Sequence, residues 1–477
     1  MKRVLLALPV LAAGGLLWRA RGASDVPIDP PSPAAALDAA RPARSRAAPR
    51  TGADALGINE AVTLPIVWIQ RGLIAPEQEA NALTIDADMS RSVGARIVRA
   101  NSPVYPYLNR FQFQEEAQGD WTRADTYFRA TGGAGLDVLA VIGPWPGNQT
   151  AAYTARYVPD DLPAYEAWVQ QVVERYDGDG QGDMPGLTRG VVAWEVDNEP
   201  DLHHHRPPRD RPSLVADPSQ FESPEEYARV LVATARAIRA ADPDATVLSG
   251  GIFFTREEKG RSYLDRVFQV PGARDAVDVL SLHCYHQENS VSALEGCAET
   301  GRRYGKPYWV TETSVPSDER EPWATQAWQA QMVAATYGAL LAAGAERVFW
   351  HALTDAPAHA TGPKGPQGAF GTNSLFGNVA PDGAEPRRGG AIGPGSRHPI
   401  KPAGEVYQRL SAHLAQVDPT TLAEVPTNGG RLLRAGDGWL AWWGTPELPP
   451  GATTTEDLRT GETAPAGARV TAPAWIR

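Results

Sequence analysis

Eight short apolar runs, separated by amphipathic stretches, occupy the chain between residues 55 and 350, and few architectures satisfy that rhythm. They are Ala55–Asn59, Ala95–Ala100, Asp137–Ile142, Val191–Val196, Thr246–Gly250, Val277–His283, Tyr308–Thr311 and Arg347–Trp350. Most are brief, largely apolar and often β-branched, as parallel strands buried on both faces are. The stretches between them carry helix signals. Ser223-Pro224-Glu225-Glu226 supplies a cap, a proline at the first helical position and a glutamate three residues past the cap. Tyr227, Val230, Leu231 and Ile238 then fall on one face before Asp242-Pro243 ends the pattern. Tyr165–Tyr176, Ala324–Ala343 and Gly404–Leu414 read as helices too. Strands alternating with helices imply a parallel sheet. Eight units favour closure into a (β/α)8 TIM barrel over an open doubly wound sheet, and no G-x-G-x-x-G follows the first strand. The expected fold is therefore α/β, a barrel over residues 53–417.

The flanks have a different character. Lys2 and Arg3 precede an apolar run from Val4 to Trp18, with Ala20-Arg21-Gly22 beyond it. Residues 1–23 read as an export signal, or as an anchor if left uncleaved, being too short for a comfortable membrane span. Residues 24–52 are rich in Ala, Pro and Arg and read as a disordered tether. Asp355–Pro399 is a long Gly/Pro-rich loop expected over the strand C-terminal face. From 418 to 477, short alternating segments such as Leu432–Leu433 and Trp439–Trp443 predict a small β-rich C-terminal domain. A net charge of −11 argues against nucleic acid as a partner, and against a membrane surface unless the N-terminal segment anchors the chain. Cys284 and Cys297 read more simply as two small buried residues than as a disulfide, although an exported protein permits the bond. No cysteine or histidine spacing indicates zinc, and no metal or other cofactor is expected.

Barrels of this kind place their chemistry at strand C-terminal ends. Strand four begins apolar and ends in acids, Trp194-Glu195-Val196-Asp197-Asn198-Glu199-Pro200. Strand seven, Tyr308-Trp309-Val310-Thr311-Glu312, carries no charge until its exit. Glu199 and Glu312 thus reach one mouth from strands on different sides. Cleavage of a glycosidic bond requires such a pair, one carboxyl to protonate the leaving oxygen and one on the other face of the sugar.

The segment Trp194–Asp201 resembles the acid/base segment of clan A glycoside hydrolases, the retaining barrel enzymes. Family 39, with its W-E-x-W-N-E-P pattern, is most similar, and family 5 is similar in layout. Trp309-Val310-Thr311-Glu312 resembles the nucleophile segment of the same clan. The resemblance implies roles. Glu199 is the general acid/base and Glu312 the nucleophile. Asn198 bonds the hydroxyl beside the scissile bond, and Arg99 keeps the nucleophile ionised. His283 and Tyr285 form the strand-six pair, both facing the mouth with Cys284 turned away. Trp350 is the aromatic platform. Asp197 departs from the pattern, standing where family 39 has an aromatic residue. Trp145, just past strand three, is a candidate for stacking on a sugar ring. The triple histidine His203-His204-His205 reads as a polar substrate-facing loop, because consecutive side chains do not easily share one ion.

The expectation is an exported retaining glycosidase acting on oligo- or polysaccharide through a covalent glycosyl-enzyme. Its carboxyl groups would lie about 5–5.5 Å apart. A transglycosidase with the same residues, or a catalytically silent sugar-binding barrel, are the alternatives.

Overall fold

The structure, a computed structural model, describes residues 44–59, 76–100, 110–113, 121–144, 158–159, 161–201, 223–253, 258–285, 292–317, 324–355, 372–377, 398–467 and 469–477. The expected signal, most of the tether, Trp145, the triple histidine and most of the loop after strand eight lie outside these residues. Among the described residues no helix is long and apolar enough to cross a membrane.

The first strand, β1 (Leu56–Asn59), lies between β2 (Ile97–Ala100) and the last barrel strand, β9 (Arg347–His351), parallel to both. The others are β4 (Asp137–Pro144), β5 (Val191–Val196), β6 (Val247–Leu248), β7 (Leu280–His283) and β8 (Tyr308–Thr313). Hydrogen bonding runs β6-β5-β4-β2-β1-β9-β8-β7. Parallel bridges Leu248–Val279 and Ile252–Leu282 bring the two edges together, so the eight strands close into the expected barrel. Each of the eight apolar runs overlaps one of them, three strands reaching one or two residues past the run. An extra short strand, β3 (Arg110–Phe113), pairs in parallel with the C-terminal half of β4 and was not expected.

Period two along the strands separates two layers. Ile97, Leu139, Ala193, Leu248, Val279, Trp309 and Phe349 point inward and fill the barrel. β1 contributes Gly57 at this level, because any Cβ there would run into the Phe349 ring. The alternate residues, among them Ile58, Val98, Trp194, Leu282 and Trp350, face the helices. The helices around the barrel are α1 (Glu79–Ser92), α2 (Thr122–Gly133), α3 (Leu162–Tyr176), α4 (Pro224–Ala241), α5 (Glu258–Val267), α6 (Ala273–Ala276), α7 (Ser292–Arg303), α8 (Gln326–Ala342) and α9 (Pro402–Leu414). α4 begins at the expected capping box. Ser223 Oγ accepts from Glu226 N at 3.1 Å, and Ser223 N donates to the Glu226 carboxylate at 3.0 Å. Such a cap contributes about 1 kcal/mol.

Residues 44–52, read as the end of a tether, instead cross the floor of the barrel. Ala47 packs on the barrel-filling side chains, and Ser45 N donates to Glu346 at 2.9 Å. The buried Arg347 guanidinium donates to the Ala47 carbonyl at 2.8 Å. Compositional bias suggested disorder here, but two polar anchors and a small apolar side chain suit the floor.

The C-terminal residues form a six-stranded antiparallel sheet, β10 (Ala423–Val425), β11 (Gly430–Ala435), β12 (Gly438–Gly444), β13 (Thr454–Asp457), β14 (Thr463–Pro465) and β15 (Ala474–Ile476). Its order is β10-β11-β12-β15-β13-β14. On one face Leu440 and Trp442 join the main core, with Trp442 packed against Gly338 of α8. On the other, Leu432, Ala441, Ala474 and Ile476 make a small cluster of their own.

Candidate active site

The residues singled out from β2, β5, β7 and β8 converge at the C-terminal mouth. Backbone geometry does part of the aiming. Past β5 the chain turns sharply, with φ of 69° at Asp197 and 53° at Glu199, a left-handed region that non-glycine residues seldom occupy. The surroundings hold this turn in place. Asp197 N donates to Ile142 O at 2.9 Å, and Glu199 N donates to Gly251 O at 3.0 Å. Tyr227 of α4 donates to Val196 O at 3.1 Å while accepting from Gly250 N at 2.6 Å.

On β8, strict alternation from the inward Trp309 would put Thr311 inside and Glu312 outside. The register shifts against both neighbours at this point, pairing His283 with Glu312 and Thr313 with Trp350. This bulge turns Glu312 inward while Thr311 keeps its inward bond to Ser281, 2.6 Å between hydroxyls.

Arg99 organises the site. It is fully buried, and its five N–H groups all have acceptors. Nε and Nη2 grip Glu195 at 2.6 and 2.8 Å. Nη1 donates to Glu312 Oε1 at 2.7 Å and Asn59 Oδ1 at 3.0 Å, and Nη2 also donates to Asn198 Oδ1 at 2.8 Å. The Asn198 side chain is thereby oriented through its Oδ1, which accepts from Arg99. With every donor committed, Arg99 is a positioning residue that touches Glu312 directly, in keeping with the role of holding that carboxylate ionised. Glu195 also accepts from Ser281 Oγ at 2.9 Å, so this buried carboxylate is held by an ion pair and a hydroxyl.

Around the two expected carboxylates, Tyr285 donates to Glu312 Oε2 at 2.6 Å. His283 Nδ1 lies 2.8 Å from Glu199 Oε1 and 3.4 Å from Glu312 Oε2. Oxygens of Glu199 and Glu312, together with a His283 nitrogen, all lie within 4.8 Å of one another. Burial pushes the Glu312 carboxyl up, but His283, Arg99, His351 and the Tyr285 hydroxyl together hold it below the usual range. Burial opposes charge on His283, yet Glu312 and Glu199 draw its pKa above the ordinary value.

Gly251 makes room for this arrangement. A Cβ there would land on the His283 ring. Gly251→Ala is therefore expected to displace His283 from Glu199, lowering kcat about 10- to 100-fold and stability by about 1–3 kcal/mol. Steady-state kinetics and urea unfolding would check it; wild-type values in both would remove the steric argument.

Other expectations met different outcomes. Trp350 is not a platform. It faces the helix layer, fully buried, and its indole N–H donates to Asn373 O at 2.7 Å. The inward residue at this strand end is His351, whose Nδ1 lies 3.0 Å from Asn59 Nδ2. Cys284 and Cys297 are not separate thiols but a disulfide tying the end of β7 to α7, with Cα atoms 6.0 Å apart. Glu195, His351 and the Ser281–Thr311 pair had no assigned role, although the period of two from Ala193 and Phe349 places Glu195 and His351 on the inner face. Among the described residues two side-chain groups have spacing suited to an ion. One is Glu199–His283–Glu312, already engaged with Arg99 and Tyr285; the other is the surface loop Asp177, Asp179 and Asp183.

With this geometry in place, likeness to known proteins is informative. A model of glycoside hydrolase family 44 matches residues 97–253, and a glycosyl hydrolase catalytic core model matches residues 198–360. No curated protein matches the chain in sequence. Among solved structures, a family 39 glycoside hydrolase from the gut symbiont Bacteroides cellulosilyticus WH2 is 16% identical, with 90% of this chain and 79% of that one covered at a TM-score of 0.53. A family 39 β-xylosidase from Caulobacter crescentus is 18% identical, covering 86% and 81% at 0.50. The family 39 enzyme from Xanthomonas axonopodis pv. citri is 13% identical, covering 93% and 98% at 0.50. At such identities the structures speak for the fold, while the two sequence models speak for the catalytic core. Together they mark the chain as a glycosidase whose barrel resembles the clan A enzymes, family 39 among them.

Proposed function

We propose that the chain is a retaining glycosidase that cleaves β-linked oligo- or polysaccharide by double displacement. Glu312 attacks the anomeric carbon while Glu199 protonates the departing oxygen, leaving the sugar esterified to Glu312. Glu199, now a carboxylate, takes a proton from water; the water oxygen bonds to the anomeric carbon and Glu312 departs as a carboxylate. Asn198 bonds the hydroxyl beside the scissile bond.

The observation that carries this reading is the unequal pair of carboxylates on one mouth. One oxygen of each lies within 4.8 Å of the other, nearer to the separation of about 5–5.5 Å for retention than to the wider spacing of about 6.5–9.5 Å of inverting pairs. Only Glu312 is held by a guanidinium and a phenol, which favours its anion as the nucleophile. Export is part of the same proposal, supported by the character of residues 1–23 and by a disulfide, a bond that persists in oxidising compartments.

The test begins with aryl β-glycosides, β-glucans, xylans and mannans; xylosides are included because one similar structure is a β-xylosidase. For the substrate cleaved fastest, proton NMR follows the anomer released first. The β anomer is expected. Initial release of the α anomer would refute double displacement.

A further inference from the structure

Two of the residues that hold the candidate carboxylates, His283 and Tyr285, flank a single residue, Cys284. Their supports differ. His283 is the last residue of β7; its N–H donates to Ile252 O at 2.9 Å, and its register partner on β8 is Glu312. Tyr285 lies two residues past the end of that ladder, so the ladder does not fix its place. Its ring stands edge-on to His283 and His351, with centroids 6.4 and 6.2 Å away. Such contacts direct a ring without fixing the backbone that carries it. Yet the hydroxyl meets Glu312 Oε2 at 2.6 Å, a contact that a backbone shift of about 0.5 Å would already weaken.

Cys284 supplies the support from three sides. Period two turns its side chain away from the mouth and into the main core, where it is buried. Its N–H donates to Glu312 O at 2.8 Å, and its carbonyl accepts from Thr313 Oγ1 at 2.9 Å, so both backbone groups are fastened to β8. The third tie is the disulfide to Cys297 on α7, 13 residues further along the chain. That helix is itself well held. Leu294 and Cys297 are buried in the main core, and Arg302 donates to Ala343 O at 3.1 Å.

We propose that the Cys284–Cys297 disulfide is a positioning element of the active site, holding the backbone beside Tyr285 so that the phenol stays on Glu312. The inference rests on the glycosidase reading above and adds a covalent support to it. Glu312 faces Arg99 from β2, Glu199 from the turn after β5, His283 and Tyr285 from β7 and His351 from β9. Of these, Tyr285 is the one that the disulfide places. Without the bond the phenol withdraws, the anion loses a donor, and the Glu312 pKa rises. The nucleophile must be ionised to react, so the acid limb of kcat/KM moves to higher pH.

The experiment is a double-mutant cycle on the aryl β-glycoside cleaved fastest, with wild type, Cys297→Ala, Tyr285→Phe and the double variant. Circular dichroism and thermal unfolding accompany the kinetics. Cys297→Ala is expected to lower kcat/KM about 10-fold and to raise the acid limb. Tyr285→Phe should do the same, and the double variant should be little worse than Tyr285→Phe alone. Lower thermal stability is what the loss of any structural disulfide brings; the pH profile and the cycle separate the two roles. Should Cys297→Ala not fold, wild type treated with a water-soluble phosphine reads the same change. Phosphine and water become phosphine oxide as the S–S bond becomes two thiols, counted by alkylation and mass spectrometry, and reoxidation should restore activity. A folded, disulfide-free protein with the wild-type acid limb, or losses that multiply in the double variant, would overturn the inference alone. A panel of which wild type cleaves no member would overturn it together with the glycosidase reading.

Discussion

Glu312→Gln is expected to lower kcat/KM by about 10⁴-fold or more while the protein stays folded, a loss of about 5 kcal/mol or more of transition-state stabilisation. Glutamine preserves the shape of the side chain, and its carbonyl can still accept from Arg99 or Tyr285. What disappears is the anion. An amide oxygen does not attack an anomeric carbon at a useful rate, and the negative charge that would stabilise the oxocarbenium-like transition state is gone. Glu199→Ala should behave differently. With a dinitrophenyl glycoside, whose leaving group needs no proton, the first step should survive and the glycosyl-enzyme should accumulate. Azide, an anion that needs no general base, should then restore turnover. Burst kinetics and mass spectrometry of the trapped protein distinguish the two variants. More than about one hundredth of wild-type activity in Glu312→Gln would remove Glu312 as the nucleophile.

How far this site could be read without coordinates depended on which physical pattern each residue obeyed. Strands buried on both faces announce themselves as short apolar runs, which is why all eight barrel strands were visible. The pair Glu199 and Glu312 was visible for a related reason, since charge at the end of an apolar run has nowhere to go but the mouth. The bulge on β8 was not. Alternation alone turns Glu312 toward the helices, and only the register shift at Val310–Thr313 brings it back. Trp350 went wrong because its place at the strand end outweighed the period of two, which assigns the inner face to His351. Glu195 obeyed that period but looked like one more acid in a cluster; a carboxylate inside a barrel demands a cation, and Arg99 was available. For Cys284 and Cys297 the spacing in sequence decides nothing. Their pairing follows from the approach of α7 to the end of β7, with Cα atoms 6.0 Å apart.

Arg99→Met should cost both stability and catalysis. The guanidinium is fully buried between Glu195 and Glu312, and removing it leaves two buried carboxylates without their cation. Breaking a buried ion pair from one side costs about 3–5 kcal/mol, because the remaining charge must stay unpaired or become protonated. The pH dependence gives the sign. In wild type the folded-state pKa of Glu312 is depressed, since burial is outweighed by His283, Arg99, His351 and Tyr285. That stabilisation is fully present above the unfolded value of about 4.3 and is lost as pH falls toward the folded value. In Arg99→Met the Glu312 pKa rises, and Glu195 is left buried without its cation, with the Ser281 hydroxyl still donating to it. Stability of the variant should then fall as pH rises through the neutral range, opposite to the wild-type contribution. The acid limb of kcat/KM should move to higher pH, because the nucleophile must be ionised to react. Urea unfolding at several pH values and a pH–rate profile would measure both. Arg99→Lys separates charge from geometry: one ammonium cannot reach the five acceptors that the guanidinium spans, so stability should recover more than activity. An unshifted acid limb in Arg99→Met would mean that Arg99 braces the barrel without tuning Glu312.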